Sequence, residues 1–257
     1  MKATRFPVLM YHRIAPRCGG DPWCLSPRRF RAQMQGLARA GYRAAPLDLF
    51  LDWMRGEADP GPGRFLLTFD DGYQGVLDHG IPILEALGWP ATLFLVAGRL
   101  GLGSDWERRG GGHRLLDEAG VRELVRRGFS VQSHGFTHAD LNALADDARL
   151  EHELTASRQR LEALTGSAVR TIAYPYGRTD GRVQSAAREA GYEWAFGVRS
   201  GFNRPGVDPM DLRRLDIRAG DGPRRLRRKV RFGTNDGRLR TSLQYYIQRI
   251  QQRFMST

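Results

Sequence analysis

The sequence predicts an α/β fold, a closed or nearly closed (β/α) barrel, for a chain of 257 residues. Three observations lead there. Short apolar runs of strand length alternate with segments of helical period, the arrangement of a parallel sheet with helices outside it. The length suits one barrel of roughly 250 residues or two small domains. The residues richest in chemistry, two adjacent aspartates and two histidines, stand just after apolar runs, where a barrel gathers its functional groups. Hydrophobic residues at 41% exclude wholesale disorder. No Gly-X-Y period, heptad run or fixed-length repeat is present.

Taken in order, residues 7–11 read as a buried strand. Ser26 can cap a helix with Pro27 in its first position; Phe30, Met34 and Leu37 make one face and Gly41 ends it. Residues 64–69, rich in Phe and Leu, form a second strand. Residues 81–87 read as helical after a Pro start, and 92–96 as a strand. Residues 116–127 form an amphipathic helix closed by Gly128, with a strand over 129–133. A long helix follows, with Leu150, Leu154, Leu161 and Leu164 on one face. Residues 171–174 are a strand, 182–190 a helix ended by Gly191, and 192–198 a strand. Residues 221–238 break the pattern with Arg, Gly and Asp. A last helix is predicted over 239–254, with Leu243, Tyr246, Ile247, Ile250 and Phe254 on one face. The expected division is a barrel over 1–220 and a basic extension over 221–257 that ends in this amphipathic helix.

The formal charge is +12, and residues 213–257 hold 13 basic residues against three acidic ones, a surplus of ten. Such a tail suits a polyanion, either nucleic acid or an anionic membrane leaflet; a solvated arginine-rich tail is the plainer reading. No apolar stretch approaches the roughly 20 residues of a membrane span. The N-terminal apolar run is too short for a signal peptide, so a cytoplasmic location is expected. Cys18 and Cys24 match no zinc or redox spacing and are expected to be two reduced loop thiols.

Four segments carry chemistry. Thr68-Phe69-Asp70-Asp71-Gly72 ends an apolar run with adjacent carboxylates, whose repulsion calls for a cation or a proton between them; an ordinary Asp-Gly turn is the plain alternative. Ser133-His134-Gly135-Phe136-Thr137-His138 places two imidazoles four apart, able to share one metal. With one Asp they make three protein ligands and leave a position for water. Ala173-Tyr174-Pro175-Tyr176-Gly177 is a turn that can present a backbone N–H to an oxyanion. Val8-Leu9-Met10-Tyr11-His12 puts a histidine at the end of the first strand.

Together these segments resemble the polysaccharide deacetylase family, carbohydrate esterase family 4, over roughly residues 5–200. The resemblance implies a (β/α) barrel that removes N- or O-acetyl groups with a divalent metal. It implies Asp70 as catalytic base and Asp71, His134 and His138 as metal ligands. Tyr176 is similar to the residue whose backbone N–H helps hold the oxyanion, and Pro175 of the same turn is expected to touch substrate. Two positions depart from the usual pattern. Ala173 stands where the family has an arginine, and no histidine follows His152 to serve as the late general acid. Leu9-Met10-Tyr11-His12 has the form of the missing acid motif at the other end of the chain. This resembles the circularly permuted branch, which includes the poly-N-acetylglucosamine deacetylases. The implied fold is then a distorted or incomplete barrel of that permuted type. His12 becomes the general acid, and Arg214 replaces the missing arginine by pairing with Asp70.

The function the resemblance implies is a metal-dependent deacetylase for an acetylated amino sugar, in a polysaccharide or a lipid-linked glycan precursor. Zinc is the expected metal, with cobalt, nickel and manganese also compatible with two imidazoles and a carboxylate. Trp106, in a Gly-rich loop, is expected to stack on sugar. The basic C-terminus fits peripheral contact with an anionic inner membrane. No nucleic-acid partner is expected, since no binding motif or regular aromatic interleaving accompanies the arginines. Three other readings stay open: a non-catalytic polyanion-binding protein, a metal-binding pseudoenzyme, and a deformylase or other amide hydrolase acting on a lipid-linked amino sugar.

Overall fold

The structure, a computed structural model, describes residues 5–106 and 112–238. The chain runs through β1 (Val8–Tyr11), β2 (Arg13–Ile14), β3 (Cys24–Leu25), α1 (Pro27–Arg39), β4 (Arg43–Ala45), α2 (Leu47–Arg55), β5 (Arg64–Phe69), α3 (Ile81–Glu85) and β6 (Thr92–Leu95). It continues through α4 (Glu118–Arg126), β7 (Ser130–Ser133), α5 (Asp147–Thr165), β8 (Thr171–Ala173), α6 (Gly181–Glu189), β9 (Trp194–Phe196), β10 (Leu215–Asp216) and α7 (Pro223–Phe232).

Eight strands form one curled parallel sheet in the order β10-β1-β5-β6-β7-β8-β9, with β4 beside the start of β5. The far ends of that path meet through a single parallel bridge between Phe196 and Leu212, so the barrel closes irregularly. The strands are buried on both faces, which is why they read as unbroken apolar runs rather than alternating ones. Alternate residues nevertheless divide between two cores. Leu9, Tyr11, Leu67 and Phe69 pack under the helices. Val8, Leu66, Phe94, Ala173 and Phe196 fill the barrel interior together with Phe50 and Trp53 of α2. Helix α2 therefore plugs the barrel, with Phe6 edge-on to Phe50 at 5.0 Å. Neither β4 nor α2 stands out in the sequence, because both are short and α2 is confined between Pro46 and Pro60.

The capping signals hold. Ser26 accepts from the Arg29 N–H at the head of α1, and Asp117, Asp146 and Asp180 do the same work for α4, α5 and α6. The predicted helix over 81–87 starts earlier, because residues 76–80 form a π turn that runs directly into α3.

Two expectations are corrected. Residues 221–238, read as a break in the pattern, contain α7, which packs beside α1 and buries Leu226, Lys229 and Val230. Its period was hidden because one of its inward positions is a lysine. The two cysteines are also not separate thiols. Cys18 and Cys24 form a disulfide across the loop between β2 and β3, so they no longer argue for a reducing compartment. The predicted helix over 239–254 lies outside the described residues. Among those described, no helix is long and apolar enough to cross a membrane.

Candidate active site

The strand ends bring the predicted residues to one cleft of about 690 Å³, lined by His12, Asp70, Asp71, Trp106, His134, His138, Tyr176 and Arg214 among others. A smaller cavity of about 440 Å³ lies at the opposite ends of β6, β7 and β8 and holds none of the candidate residues.

Asp70 and Asp71 leave the end of β5. The Asp70 N–H donates to the Tyr11 carbonyl at 2.9 Å, which continues the β1–β5 ladder one residue past the strand. Asp71 then turns into the left-handed region with φ 72°, which sends its side chain away from that of Asp70. Among the described residues three non-glycines adopt such a φ: Asp71, His138 and Tyr176. All three line this cleft. Backbone strain of that kind persists where the surroundings over-determine it, and functional sites are where it collects.

Asp71 Oδ1 lies 3.3 Å from Nε2 of both His134 and His138. The three ligand atoms all lie within 4.8 Å of one another, and the three residues are buried. His134 Nδ1 lies 2.7 Å from the Ala173 carbonyl, a contact that makes Nδ1 the protonated nitrogen and leaves the Nε2 lone pair facing Asp71. The donor set therefore fits a divalent metal. His138 is held differently, between the rings of Trp106 at 4.2 Å and Tyr176 at 4.7 Å. Trp106, expected on sugar, thus stacks on an imidazole. Pro175, expected to touch substrate, is buried against Gly135 and does not line the cleft.

Arg214 precedes β10, and β10 is the neighbour of β1. Its Nη1 donates to Asp70 Oδ1 at 2.7 Å, and its Nε donates to the Gly197 carbonyl. Both partners are buried, with Arg214 1% and Asp70 2% exposed, so the pair is shielded from solvent screening. Burial pushes Asp70 up, but the Arg214 guanidinium, with His134 and His12 adding to it, outweighs burial and holds this carboxyl below the usual range. Asp71 lies well below that range: burial raises it, and its side-chain contacts with His134 and His138 more than reverse the effect. Burial lowers both imidazoles. In His134 the Asp71 contact wins and the net shift is upward, whereas in His138 burial wins and the shift is downward.

Two supporting groups escaped the sequence reading. His12 packs against Trp23 at 4.6 Å, and the Arg218 guanidinium lies 4.6 Å from the centre of that same indole. Glu153 on α5 is the second. Its buried carboxylate accepts from the N–H groups of Phe136 at 3.0 Å and Thr137 at 2.9 Å, and from the Thr137 hydroxyl. Those are the residues between the two candidate ligand histidines. Gly135, beside them, turns at φ 77°, a backbone conformation that favours glycine. Glu153→Gln replaces an anion by a group that matches this donor array less well. It is expected to weaken zinc binding about tenfold, as losses in the support around a metal do. A zinc titration checks it, with the melting curve reported beside it; an unchanged affinity would remove Glu153 from the site.

Against known proteins, residues 57–195 match the polysaccharide deacetylase family. The chain belongs to that family. The matched span contains both aspartates, both candidate ligand histidines and the Tyr-Pro-Tyr-Gly turn, while His12 and Arg214 flank it on either side. They share the cleft because β1 and β10 are adjacent. The chain is similar to YxkH of Bacillus subtilis (strain 168), at 27% identity over 220 residues, covering 85% of this chain and 74% of that one. A Staphylococcus aureus poly-beta-1,6-N-acetyl-D-glucosamine N-deacetylase is 22% identical over 203 residues, covering 76% of this chain and 68% of the relative. Among solved structures, IcaB from Ammonifex degensii superposes with a TM-score of 0.73 at 26% identity, covering 84% of this chain and 93% of that one. Membership of this family makes the chain a deacetylase-type hydrolase with a barrel-like parallel sheet.

Proposed function

We propose that the chain is a metal-dependent N-deacetylase of acetylated amino-sugar units in a glycan. One observation carries the reading. Three ligand atoms, from Asp71, His134 and His138, converge within 4.8 Å in the same cleft as a buried Asp70–Arg214 pair and His12. The name of the Staphylococcus aureus relative, an N-deacetylase of a poly-N-acetylglucosamine, supports the substrate class.

Asp71, His134 and His138 would hold a divalent cation, which would supply Lewis acidity toward an acetyl carbonyl and lower the pKa of a bound water; zinc suits two imidazoles and a carboxylate. The other residues divide the proton traffic. Asp70, kept ionised by Arg214, accepts the proton of the attacking water. His12, backed by Trp23, donates a proton to the departing nitrogen, because an amine leaves poorly unless protonated. The backbone N–H of Tyr176, in its left-handed turn beside His138, is assigned to the developing oxyanion. Trp106 and Tyr176 together hold the His138 ring and narrow its access to water.

His12→Ala tests the division. Its kcat is expected to fall about 10²–10⁴-fold, the range for losing a general acid, while zinc affinity stays at the parent value. Acetate release from N-acetylglucosamine oligosaccharides and from lipid-linked amino sugars supplies the readout. Full turnover in the variant would reassign the acid, and formate in place of acetate would make the protein a deformylase.

A further inference from the structure

Helices α1 and α7, far apart in sequence, lie side by side and share one outward face. Gly36 sets their spacing, since a Cβ there would come within 2.9 Å of Pro223 Cβ. Buried polar bonds then fix the register. Gln33 Nε2 donates to the Asp221 carbonyl at 2.6 Å, and Lys229 Nζ donates to Asp221 Oδ2 and to the Asp216 carbonyl, each at 2.7 Å. With Lys229, Leu226 and Val230 turned inward, Arg224, Arg227 and Arg231 stand on the exposed stripe of α7. Arg28 and Arg39, three turns apart, make the neighbouring exposed stripe of α1. Arg39, Arg224 and Arg227 line the groove between the helices, about 510 Å³ in volume.

Four of the charges on this face are uncompensated. Neither α1 nor α7 contains an acidic residue. Among the described residues Arg28, Arg39, Arg224 and Arg227 have no carboxylate within ion-pair distance. Several exposed arginines on the other side of the barrel do have one: Arg122 with Glu118, Arg126 with Glu123, Arg182 with Asp147 and Arg188 with Asp208. The arginines of a merely solvated surface would be expected to alternate with acids in the same way. None of the exposed large hydrophobic residues, Leu102, Tyr176 and Val198, lies on this face. Among the described residues it therefore offers no exposed apolar wedge or ring for stacking on bases; the Tyr42 ring, near Arg227 and Arg231, is half-buried. Both helices lie flush on the barrel, and neither projects as a reading helix must to enter a major groove about 12 Å wide.

We propose that the α1–α7 face is a docking surface for an anionic phospholipid bilayer, held by its headgroups. The attraction is electrostatic and interfacial, so it is sensitive to salt. It does not depend on the deacetylase reading, because no residue of the cleft takes part.

The test is co-sedimentation of the full chain with vesicles of phosphatidylcholine alone or enriched in phosphatidylglycerol, at low and high salt, with short duplex DNA as competitor. The parent protein is expected to bind the anionic vesicles at low salt and to leave them at high salt. The variant R39Q/R224Q/R227Q is expected to bind about tenfold or more weakly, with an unchanged melting temperature, and R39K/R224K/R227K to restore binding. Equal binding to neutral vesicles would overturn the proposal. So would glutamine variants that bind as the parent does, since the remainder of the basic C-terminus would then carry the charge. Tight DNA binding with the vesicles ignored would turn the face into a nucleic-acid surface.

Discussion

Asp71→Ala is expected to abolish zinc binding, weakening it by more than about 100-fold. Loss of a direct ligand exceeds the 10–100-fold typical of losing a supporting contact. The reason is geometric. Asp71 Oδ1 is the point both Nε2 atoms face, each at 3.3 Å, and its backbone is held at φ 72° to keep it there. Without this carboxylate, two buried imidazoles remain, and burial favours their neutral forms. Two neutral imidazoles hold a divalent cation poorly, and acetate release should fall with the affinity. Calorimetric titration of metal-stripped parent and variant decides the matter. A variant that binds zinc as tightly as the parent would place the metal elsewhere, and a parent that binds none would end the metallohydrolase reading.

Arg214→Met produces the second large effect, on a different observable. It leaves the Asp70 carboxylate buried and unpaired, which typically costs about 3–5 kcal/mol. The sign with pH follows from the direction of the shift. Asp70 lies below its ordinary value in the folded protein, so the pair stabilises above the unfolded carboxylate pKa, and that contribution is lost as pH falls through the folded one. In the variant the strongest lowering influence is gone and burial raises Asp70 instead. The stability deficit should be greatest near neutrality and shrink in acid, where Asp70 takes up a proton in both proteins. A general base must be ionised, so the acid limb of the rate profile should move to higher pH while zinc affinity changes little. A pH–rate profile beside a zinc titration reads both. An acid limb that stays in place would mean that Arg214 does not tune Asp70.

Much of the chemistry was legible early because it is local. Asp70 and Asp71 are neighbours, His134 and His138 are one helical turn apart in spacing, and each group ends an apolar run. Helix starts were legible for the same reason, since Ser26 acts within three residues of itself. The failures are informative. Cys18 and Cys24 gave no recognisable spacing, and it took the loop between β2 and β3 to bring them together. Residues 223–232 looked patternless because a lysine occupies a core position, and that position is tolerable only where Asp221 and a carbonyl meet its ammonium group. Glu153 looked like one more surface acid on a long helix. Nothing near it in sequence marks a carboxylate that will reach main-chain N–H groups in the loop between the candidate ligands.

What the sequence by itself determined was the class of fold, the order of its longer strands and helices, and the residue types gathered at the strand ends. Those follow from apolar runs, caps and spacings, all properties of residues a few positions apart. Only the tertiary structure decided that Trp23 backs His12, that Glu153 holds the histidine loop, and that α7 turns its lysine in and its arginines out. Each of these is a relation between separate elements. It depends on which strands are neighbours and in what register, and parallel strands joined by crossovers acquire that only when the whole barrel closes.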